Sequence, residues 1–338
     1  MYSSIALILV SFGSAQTPAL IAESRPVRHV VCVLEEELRF SPTYQLTELS
    51  LAVGAAQDLP HHQIKVSTKM LAPTGGAVAK EPEWPFRAFV ATRLRPAMNQ
   101  PVFPVKIQYE ATMMERRLVP AAGKKVAPLD AKTRETYLAP TEWYDYKAPE
   151  FTAWLKQTKL QREQRETPLA FAQRAFLMLG QKFTYKSATP GQPASQVIAL
   201  KEADCDTLSF VYISSLRANG IPARILLGRS AVKSVKPSEA GRMPGHGAVE
   251  FFADGIGWVY CDPAGGVQHA RTKPLADFGH SNGHLLVLQV DPGMKVPGSK
   301  ADSVRIVRSI TSPTIAMRGK GKAESKMTHV GWTVTVVP

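Results

Sequence analysis

The feature that most constrains the fold is a regular alternation of apolar and polar residues in the first third of the chain. Ile64, Val66 and Met70 alternate with lysine, serine and glutamine, and residues 105–111 repeat the pattern. Alternation with period two is typical of strands that bury one face and expose the other. Prolines at 60, 73, 82, 85, 96, 101 and 104 divide the segment into short strands. We therefore predict an antiparallel β-sandwich domain over residues 25–118.

The remaining chain shows a different organisation. Residues 119–149 have few periodic apolar positions, which predicts a linker or an extended wrap across the domain surface. Thr167 followed by Pro168 predicts a helix start, because a hydroxyl can cap the helix and proline suits its first position. Residues 330–336 alternate again and predict a C-terminal strand. We therefore expect residues 150–338 to form a second, α+β domain.

Composition and charge exclude several classes of protein. With 44% hydrophobic residues and three cysteines among 338, the chain is neither disordered nor a disulfide-stapled scaffold. The formal net charge of +13 invites a nucleic-acid hypothesis, but the positive residues are scattered. Their densest cluster, between Arg318 and Lys326, lacks interleaved aromatic residues. We therefore predict no nucleic-acid binding, and expect the charge to attract acidic proteins or anionic envelope polymers.

The first 15 residues read as a signal peptide. An apolar run from Ile5 to Phe12 is followed by Gly13-Ser14-Ala15, small residues that suit cleavage after Ala15. The run is far shorter than the roughly 20 residues of a membrane-spanning helix, and no other segment could span a bilayer. We expect export to the periplasm or the extracellular space, while a buried N-terminal strand or helical turn remains the alternative.

A cysteine lies at the start of a helix that the sequence predicts before Gly220. The helix is predicted to end at Gly220, and Asp204 or Asp206 can cap its start. Cys205 then occupies the first turn, where free backbone N–H groups and the helix dipole favour a thiolate. The flanking aspartates oppose this effect by raising the thiol pKa. The helix is indicated by one apolar face, formed by Leu208, Val211, Tyr212, Ser215 and Leu216.

A histidine and an aspartate follow on a predicted hairpin. His246 precedes an apolar strand, Asp254-Gly255 marks a turn, and the returning strand ends at Asp262, 16 residues after His246. Antiparallel pairing should place Asp262 beside or near His246. Its carboxylate could accept the imidazole Nδ1–H and direct Nε2 toward a thiol. A cysteine at a helix start with a neighbouring His and Asp is the arrangement for nucleophilic acyl transfer.

These segments resemble a known family. Residues 171–266 look like the transglutaminase-like superfamily of papain-type cysteine enzymes. The resemblance lies in the Cys-bearing helix that ends in Gly220-Ile221-Pro222-Ala223-Arg224, in the strand that His246 opens, and in Trp258-Val259-Tyr260-Cys261-Asp262-Pro263. The resemblance implies a papain-like core behind the sandwich, within a catalytic domain at 150–338 that includes the C-terminal strands. It implies Cys205 as nucleophile, His246 as general base and then acid, and Asp262 as the orienting carboxylate.

The sequence departs from this family at two places. Ala248 stands where members usually have a Trp two residues after the His, and Ala203-Asp204 replaces a Gly-containing dipeptide. A missing aromatic wall would admit water, so hydrolysis of an amide is as compatible with the sequence as acyl transfer to an amine. The alternative is a catalytically silent module that binds envelope peptides or glycans.

Partners and cofactors follow from the same residues. We expect a protein or peptide substrate, attacked by Cys205 to form a thioester, with the Cys205 backbone N–H as one oxyanion donor. No Cys-x-x-Cys, HExxH or Walker pattern occurs, so neither a metal nor another cofactor is implied. With an odd number of cysteines, at least one is unpaired or pairs between chains. We expect Cys32 and Cys261 to be packed, and a disulfide between them remains open.

Overall fold

The computed structural model describes residues 19–81, 84, 87–95, 102–187, 191–235, 245–300 and 302–337. The predicted signal peptide at residues 1–15 lies outside the described residues. No helix among those described is both long and apolar enough to cross a membrane.

The described residues contain seventeen strands. In chain order they are β1 (Leu20–Phe40), β2 (Gln45–Gly54), β3 (Gln63–Ala72), β4 (Ala77–Lys80), β5 (Ala88–Leu94), β6 (Val102–Pro120), β7 (Thr184–Tyr185), β8 (Glu202–Ala203), β9 (Ala223–Ser230), β10 (Gly245–Ala253), β11 (Gly257–Cys261), β12 (His280–Ser281), β13 (Leu285–Val290), β14 (Met294–Pro297), β15 (Val304–Val307), β16 (Thr314–Lys320) and β17 (Ser325–Val337). Six helices lie among them: α1 (Ala131–Leu138), α2 (Pro149–Gln157), α3 (Pro168–Lys182), α4 (Ala194–Val197), α5 (Cys205–Ala218) and α6 (Pro263–Gln268).

The N-terminal strands form the predicted antiparallel sandwich. One sheet has the order β12-β6-β1-β17 with β3 also paired to β6, and the other has the order β16-β2-β5-β4. Their facing sides share one hydrophobic core, which includes Cys32 of β1, Val53 of β2 and Tyr109 of β6. The alternation predicted for β6 is confirmed, because Ile107 and Tyr109 are fully buried while the intervening Gln108 is partly exposed.

The last two strands complete this sandwich. β17 pairs antiparallel with β1 from Val337 opposite His29 to Ser325 opposite Phe40, and β16 pairs with β2. The sequence-based prediction grouped residues 314–337 with the second domain. Local alternation identifies a strand but carries no information about a partner nearly 300 residues away. These pairings could therefore not be predicted from the sequence.

A further antiparallel sheet, in the order β11-β10-β9-β13, forms the centre of the second half. Helices α3, α5 and α6 pack together beside it, and α5 contacts both β9 and β10. Its hydrophobic core is the largest in the described chain and includes Phe176 of α3, Val211 of α5 and Phe251 of β10. α3 begins where predicted, with the Thr167 hydroxyl accepting from the Ala170 backbone N–H at 3.2 Å and Pro168 in the first position.

A buried charge network joins the sandwich to the sheet β11-β10-β9-β13. Glu250 of β10 accepts hydrogen bonds from Arg116 of β6 at 2.5 Å and from Arg224 of β9 at 2.6 Å. Arg224 also donates to the hydroxyl of Tyr137 in α1 at 2.8 Å. Tyr137 is fully buried, so the segment after β6 is anchored between the two halves of the protein.

Candidate active site

Cys205 is the first residue of α5. Asp204 caps this helix, because its carboxylate accepts from the Thr207 backbone N–H at 2.9 Å and the Thr207 hydroxyl accepts from the Asp204 backbone N–H at 3.0 Å. The helix ends before Gly220, whose φ of 74° suits a residue without a side chain. The predicted position of Cys205 in the first helical turn is therefore confirmed, and Asp204 is the cap.

His246 and Asp262 come together as the hairpin predicts. β10 and β11 pair with Val249 opposite Cys261, so Asp262 follows the last paired residue of β11. His246 Nε2 lies 2.6 Å from Asp262 Oδ2. The other carboxylate oxygen, Oδ1, accepts from the Gly265 backbone N–H at 3.1 Å and caps α6.

The prediction of which imidazole nitrogen faces Asp262 was wrong. Sequence reasoning assigned Nδ1 to the carboxylate, whereas Nε2 makes this contact. Asp262 is fixed at the start of α6, where it meets the outer nitrogen of the His246 ring. Nδ1 is therefore the nitrogen left for Cys205, with which His246 also interacts.

The thiol of Cys205 has three polar neighbours. It interacts with His246 and with the Gly247 backbone N–H, and its Sγ lies 3.6 Å from Asp206 Oδ1. Burial raises the pKa of Cys205, and the negative charge of Asp206 adds to this effect against the opposing influence of His246 and Gly247. These effects oppose the thiolate that the helix N-terminus was expected to favour, and the pKa of Cys205 is raised overall.

The pKa values of His246 and Asp262 are shifted in opposite directions. Burial lowers the pKa of His246, but the charge of Asp262, its hydrogen bond and the contact with Cys205 raise that pKa well above 6.5. Burial likewise raises the pKa of Asp262, but the charge and hydrogen bond of His246 bring it below its usual value. Asp262 thus stabilises the protonated form of His246.

These residues line a cleft of about 750 Å³. Cys205 and His246 line it together with Tyr185, and so do Leu285, Ser309 and Thr311. A separate cavity of about 670 Å³, between β5 and β14, contains none of the predicted site residues.

The Ala248 departure is located in the core. Ala248 is fully buried in a cluster with Leu226 and Trp258, and it is not among the residues that line the cleft. Where the family has a Trp, this chain therefore has an alanine that packs in the core on the side facing the sandwich. The water-excluding wall that a Trp would form at this position is not part of this cleft.

Sequence reasoning missed part of the site. Asp206 was considered as a cap and as a charge that raises the thiol pKa, and the second effect is confirmed, whereas the role of Gly247 was not expected. A Cβ added to Gly247 would lie 2.7 Å from Asp206 Oδ1, so glycine lets the carboxyl group approach β10 closely. The two remaining cysteines, Cys32 and Cys261, are buried and unpaired. Within the described ranges, no three His, Cys, Asp or Glu residues are grouped as metal ligands would be.

The second half of the described chain has a transglutaminase-like fold. Residues 156–263 match the family model of the transglutaminase-like superfamily, so this part of the chain carries a transglutaminase-like core. The match encloses Cys205, His246 and Asp262 and extends beyond the N-terminal limit of the resemblance noted in the sequence.

Three solved structures are similar to this chain, and the first of them shares its fold. A candidate cysteine protease from Cytophaga hutchinsonii is 14% identical, with 94% of this chain and 93% of that chain covered and a TM-score of 0.59. The periplasmic domain of TgpA from Pseudomonas aeruginosa is 16% identical, with 72% and 92% covered and a TM-score of 0.36. Red sea bream transglutaminase is 12% identical, with 66% and 46% covered and a TM-score of 0.31. No curated protein sequence gives a significant match.

Proposed function

We propose that this protein is a cysteine enzyme that acts on a carboxamide or peptide bond through a thioester at Cys205. The observation that carries the proposal is the 2.6 Å contact between His246 and Asp262 beside a cysteine in the first turn of a helix. A nucleophile, a base and a group that orients the base are the elements needed for acyl transfer. The transglutaminase-like core supports the same class of chemistry.

In the proposed mechanism, neutral His246 accepts the thiol proton as Cys205 attacks the carbonyl carbon. The C–N bond breaks, and the nitrogen leaves as ammonia or an amine after receiving that proton from His246. The developing oxyanion is stabilised by the backbone N–H of Cys205, which has no acceptor within α5 because it belongs to the first helical turn. Water or an amine then attacks the thioester and releases Cys205.

The raised pKa of Cys205 favours proton removal during attack over a thiolate formed in advance. His246 must then be neutral in the free enzyme, although Asp262 stabilises its protonated form. The same Asp262 stabilises the imidazolium that forms once His246 takes the thiol proton. The free energy needed to keep His246 neutral beside Asp262 before the attack is therefore recovered in the transition state.

The acylation step can be tested without a known substrate. p-Nitrophenyl acetate carries an activated ester that acylates cysteine nucleophiles, and we expect a burst of p-nitrophenolate with one acetyl group on Cys205 by mass spectrometry. Cys205→Ala should abolish the burst, and His246→Ala should slow it by at least about 100-fold. Cys32→Ala is the matched control, because that thiol is buried in the sandwich, and its burst should equal that of the wild type.

A burst that persists in Cys205→Ala would overturn the proposal. Absence of any burst in the wild type would favour the alternative, a silent module that binds peptides or glycans of the cell envelope. Ammonia release and peptide cleavage are then measured on a glutamine-rich protein. Ammonia release indicates reaction at a carboxamide, and cleavage indicates reaction at a peptide bond.

We further propose that the protein is exported and acts on a protein or peptide, with a cell-envelope polymer as a second substrate class. Support comes from the apolar run before Ala15 and from the net charge of +13, which attracts acidic partners. N-terminal sequencing of the protein from a cell that expresses the full chain should begin at Gln16. A first residue of Met1 in the cytoplasmic fraction would contradict export.

A further inference from the structure

Four exposed valines lie near one edge of the catalytic cleft: Val27, Val232, Val336 and Val337. We call this set the valine rim. The exposed fractions of the four residues run from 37% to 58%. A single exposed valine is ordinary, but a group of apolar side chains beside a cleft is typical of a binding surface.

Val232 is held close to the cleft by Ser230. Ser230 lines the cleft, and its hydroxyl accepts hydrogen bonds from the backbone N–H groups of Val232 at 3.3 Å and of Lys233 at 2.9 Å. This turn fixes Val232 two residues after a residue of the cleft wall, with about half of Val232 exposed. A side chain that leaves the cleft past Ser230 therefore meets an apolar surface.

Val27 reaches the same edge through the loop before β13. A Cβ added to Gly283 would lie 3.0 Å from Val27 Cγ2, so Val27 packs against this glycine. The next residue, His284, lines the cleft, and its carbonyl oxygen accepts from the Ala231 backbone N–H at 2.7 Å. Val27 and Val232 therefore border two loops that are hydrogen-bonded to each other beside the cleft.

The end of β17 supplies the other two valines. Val337 lies opposite His29 of β1, two residues along the chain from Val27, and Val336 lies opposite Val30. Both valines therefore extend the apolar surface that begins at Val27.

The other edge of β17 faces the segment that follows β9. Val235 of this segment lies opposite Trp332 in an antiparallel bridge. Continued in the same antiparallel direction, the two segments bring Val336 alongside the turn that carries Val232. The four valines thus surround one end of the cleft wall from two sides.

We propose that the valine rim binds an apolar side chain of the protein or peptide substrate, a few residues away from the carbonyl carbon that Cys205 attacks. The inference rests on the proposed acylation of Cys205 and specifies its substrates as segments with a residue such as leucine near the reacting carbonyl. Continuity of the rim with the cleft, through Ser230 and His284, identifies the substrate as its occupant.

Affinity labelling of Cys205 measures this preference without a known substrate. The reagents are iodoacetyl-(Gly)n-Leu-Leu-amides with one to four glycines, and their Ser-Ser counterparts. The sulfur of Cys205 displaces iodide and forms a C–S bond, and mass spectrometry follows the labelled peptide. The ratio of the two labelling rates does not depend on the intrinsic reactivity of the thiol.

At the best spacer length we expect the leucine reagent to label Cys205 at least about tenfold faster than the serine reagent. A tenfold gain corresponds to burial of roughly 55 Å² of apolar surface, which is less than one leucine side chain offers.

Substitutions in the rim should remove this preference. Val232→Ser and Val336→Ser should each lower the ratio, and the double variant should bring it to within about twofold of 1. Both residues are exposed, so the fold should be retained. Val304→Ser and Ile306→Ser are the matched controls on β15. These residues are 65% and 68% exposed and do not line the cleft, so the ratio should remain that of the wild type.

Three results would overturn the inference: a wild-type ratio near 1 at every spacer length, an unchanged ratio in the double variant, or an equal loss in the β15 controls. If the rim instead binds a second copy of this chain, the ratio is near 1 and the double variant lowers the molecular mass in solution. Failure of the proposed function gives a different result. Labelling needs only the thiol, so the ratio can be measured even in a protein that gives no p-nitrophenolate burst.

Discussion

The carboxylate of Asp262 bridges the His246 ring and the first turn of α6, with Oδ2 2.6 Å from His246 Nε2 and Oδ1 3.1 Å from the Gly265 backbone nitrogen. Both contacts stabilise the ionised carboxylate, which in turn stabilises the imidazolium. The orientation of His246 and its protonation are therefore controlled by one side chain.

This relationship predicts a pH dependence of activity. The proposed base is neutral His246, and its pKa is raised well above 6.5, so kcat/KM should increase with pH above neutrality until His246 is deprotonated. Asp262→Asn removes the charge that raises this pKa. The rising limb should then shift to lower pH while the plateau of kcat/KM falls by at least about 100-fold. An unshifted limb in Asp262→Asn, measured with p-nitrophenyl acetate, would show that another group controls it.

Close packing around Gly247 predicts a site-specific effect on stability. In Gly247→Ala the new methyl would lie 2.7 Å from Asp206 Oδ1 and 3.0 Å from Ile225 Cδ1, so β10 must move away from α5. We expect a loss of about 1–3 kcal/mol in the free energy of unfolding by urea. Gly245→Ala is the matched control on the same strand, since the nearest atom to its Cβ is 4.0 Å away. Equal stabilities of the two variants would contradict this packing.

The buried charge network predicts acid sensitivity of the fold. Burial raises the pKa of Glu250, but Arg224 and Arg116 lower it to about 2, from 4.5. A group whose pKa is lower in the folded state stabilises the protein above its unfolded-state pKa and loses that contribution as the pH falls. Glu250 should thus contribute about 3 kcal/mol that disappears between pH 4.5 and about 2.

Urea unfolding as a function of pH checks this contribution. Glu250→Gln leaves two buried arginines without a charge partner, so it should be less stable at neutral pH by about 3–5 kcal/mol. The difference from the wild type should shrink as the pH is lowered. Glu202→Gln, at an exposed ion pair with Lys186, should stay within about 0.5 kcal/mol of the wild type. A constant difference for Glu250→Gln across the pH range would refute the assignment.

An indole at the edge of the sandwich predicts coupling between the sandwich and the cleft. Trp332 of β17 donates its Nε1–H to the carbonyl oxygen of Ser230, a residue that lines the cleft. Trp332→Phe should lower the free energy of unfolding by about 2 kcal/mol and reduce kcat/KM, because that carbonyl loses its donor.

The adjacent aromatic residue provides the control. Tyr109 lies against Trp332 with a ring-centroid distance of 5.9 Å, and its buried hydroxyl has no hydrogen-bond partner among the described residues. Tyr109→Phe should therefore be neutral or slightly stabilising, with kcat/KM unchanged. Equal kcat/KM values for Trp332→Phe and the wild type would disprove the coupling.

Much of the site could be predicted because its geometry is local. Helix capping places Cys205, and the length of one hairpin places Asp262 beside His246, so short-range rules are sufficient for both. The nitrogen of His246 that meets Asp262 could not be predicted, since it depends on where α6 begins relative to β10. The effect of Asp206 on the pKa of Cys205 was predicted, whereas burial by distant segments, the largest influence on that pKa, was not.

The fold shows the same division between local and distant information. Alternation in β3 and β6 correctly predicts strands and the faces that they bury. Pairing of β17 with β1 depends on contacts between segments far apart in the chain, which no local pattern encodes. Ser309 and Thr311 reach the cleft for the same reason, as they lie in the segment that returns the chain to the sandwich.

The pairing of β1 with β17 has a consequence for biosynthesis. One edge of β1 is satisfied by β6, but its other edge has no partner until β17 has been synthesised. At roughly 5–20 residues per second, translation of the chain between β1 and β17 takes tens of seconds, and the transglutaminase-like core is synthesised within this interval. The sandwich can therefore be completed only after the core has been synthesised, and until then one edge of β1 is open to chaperones or to other nascent chains.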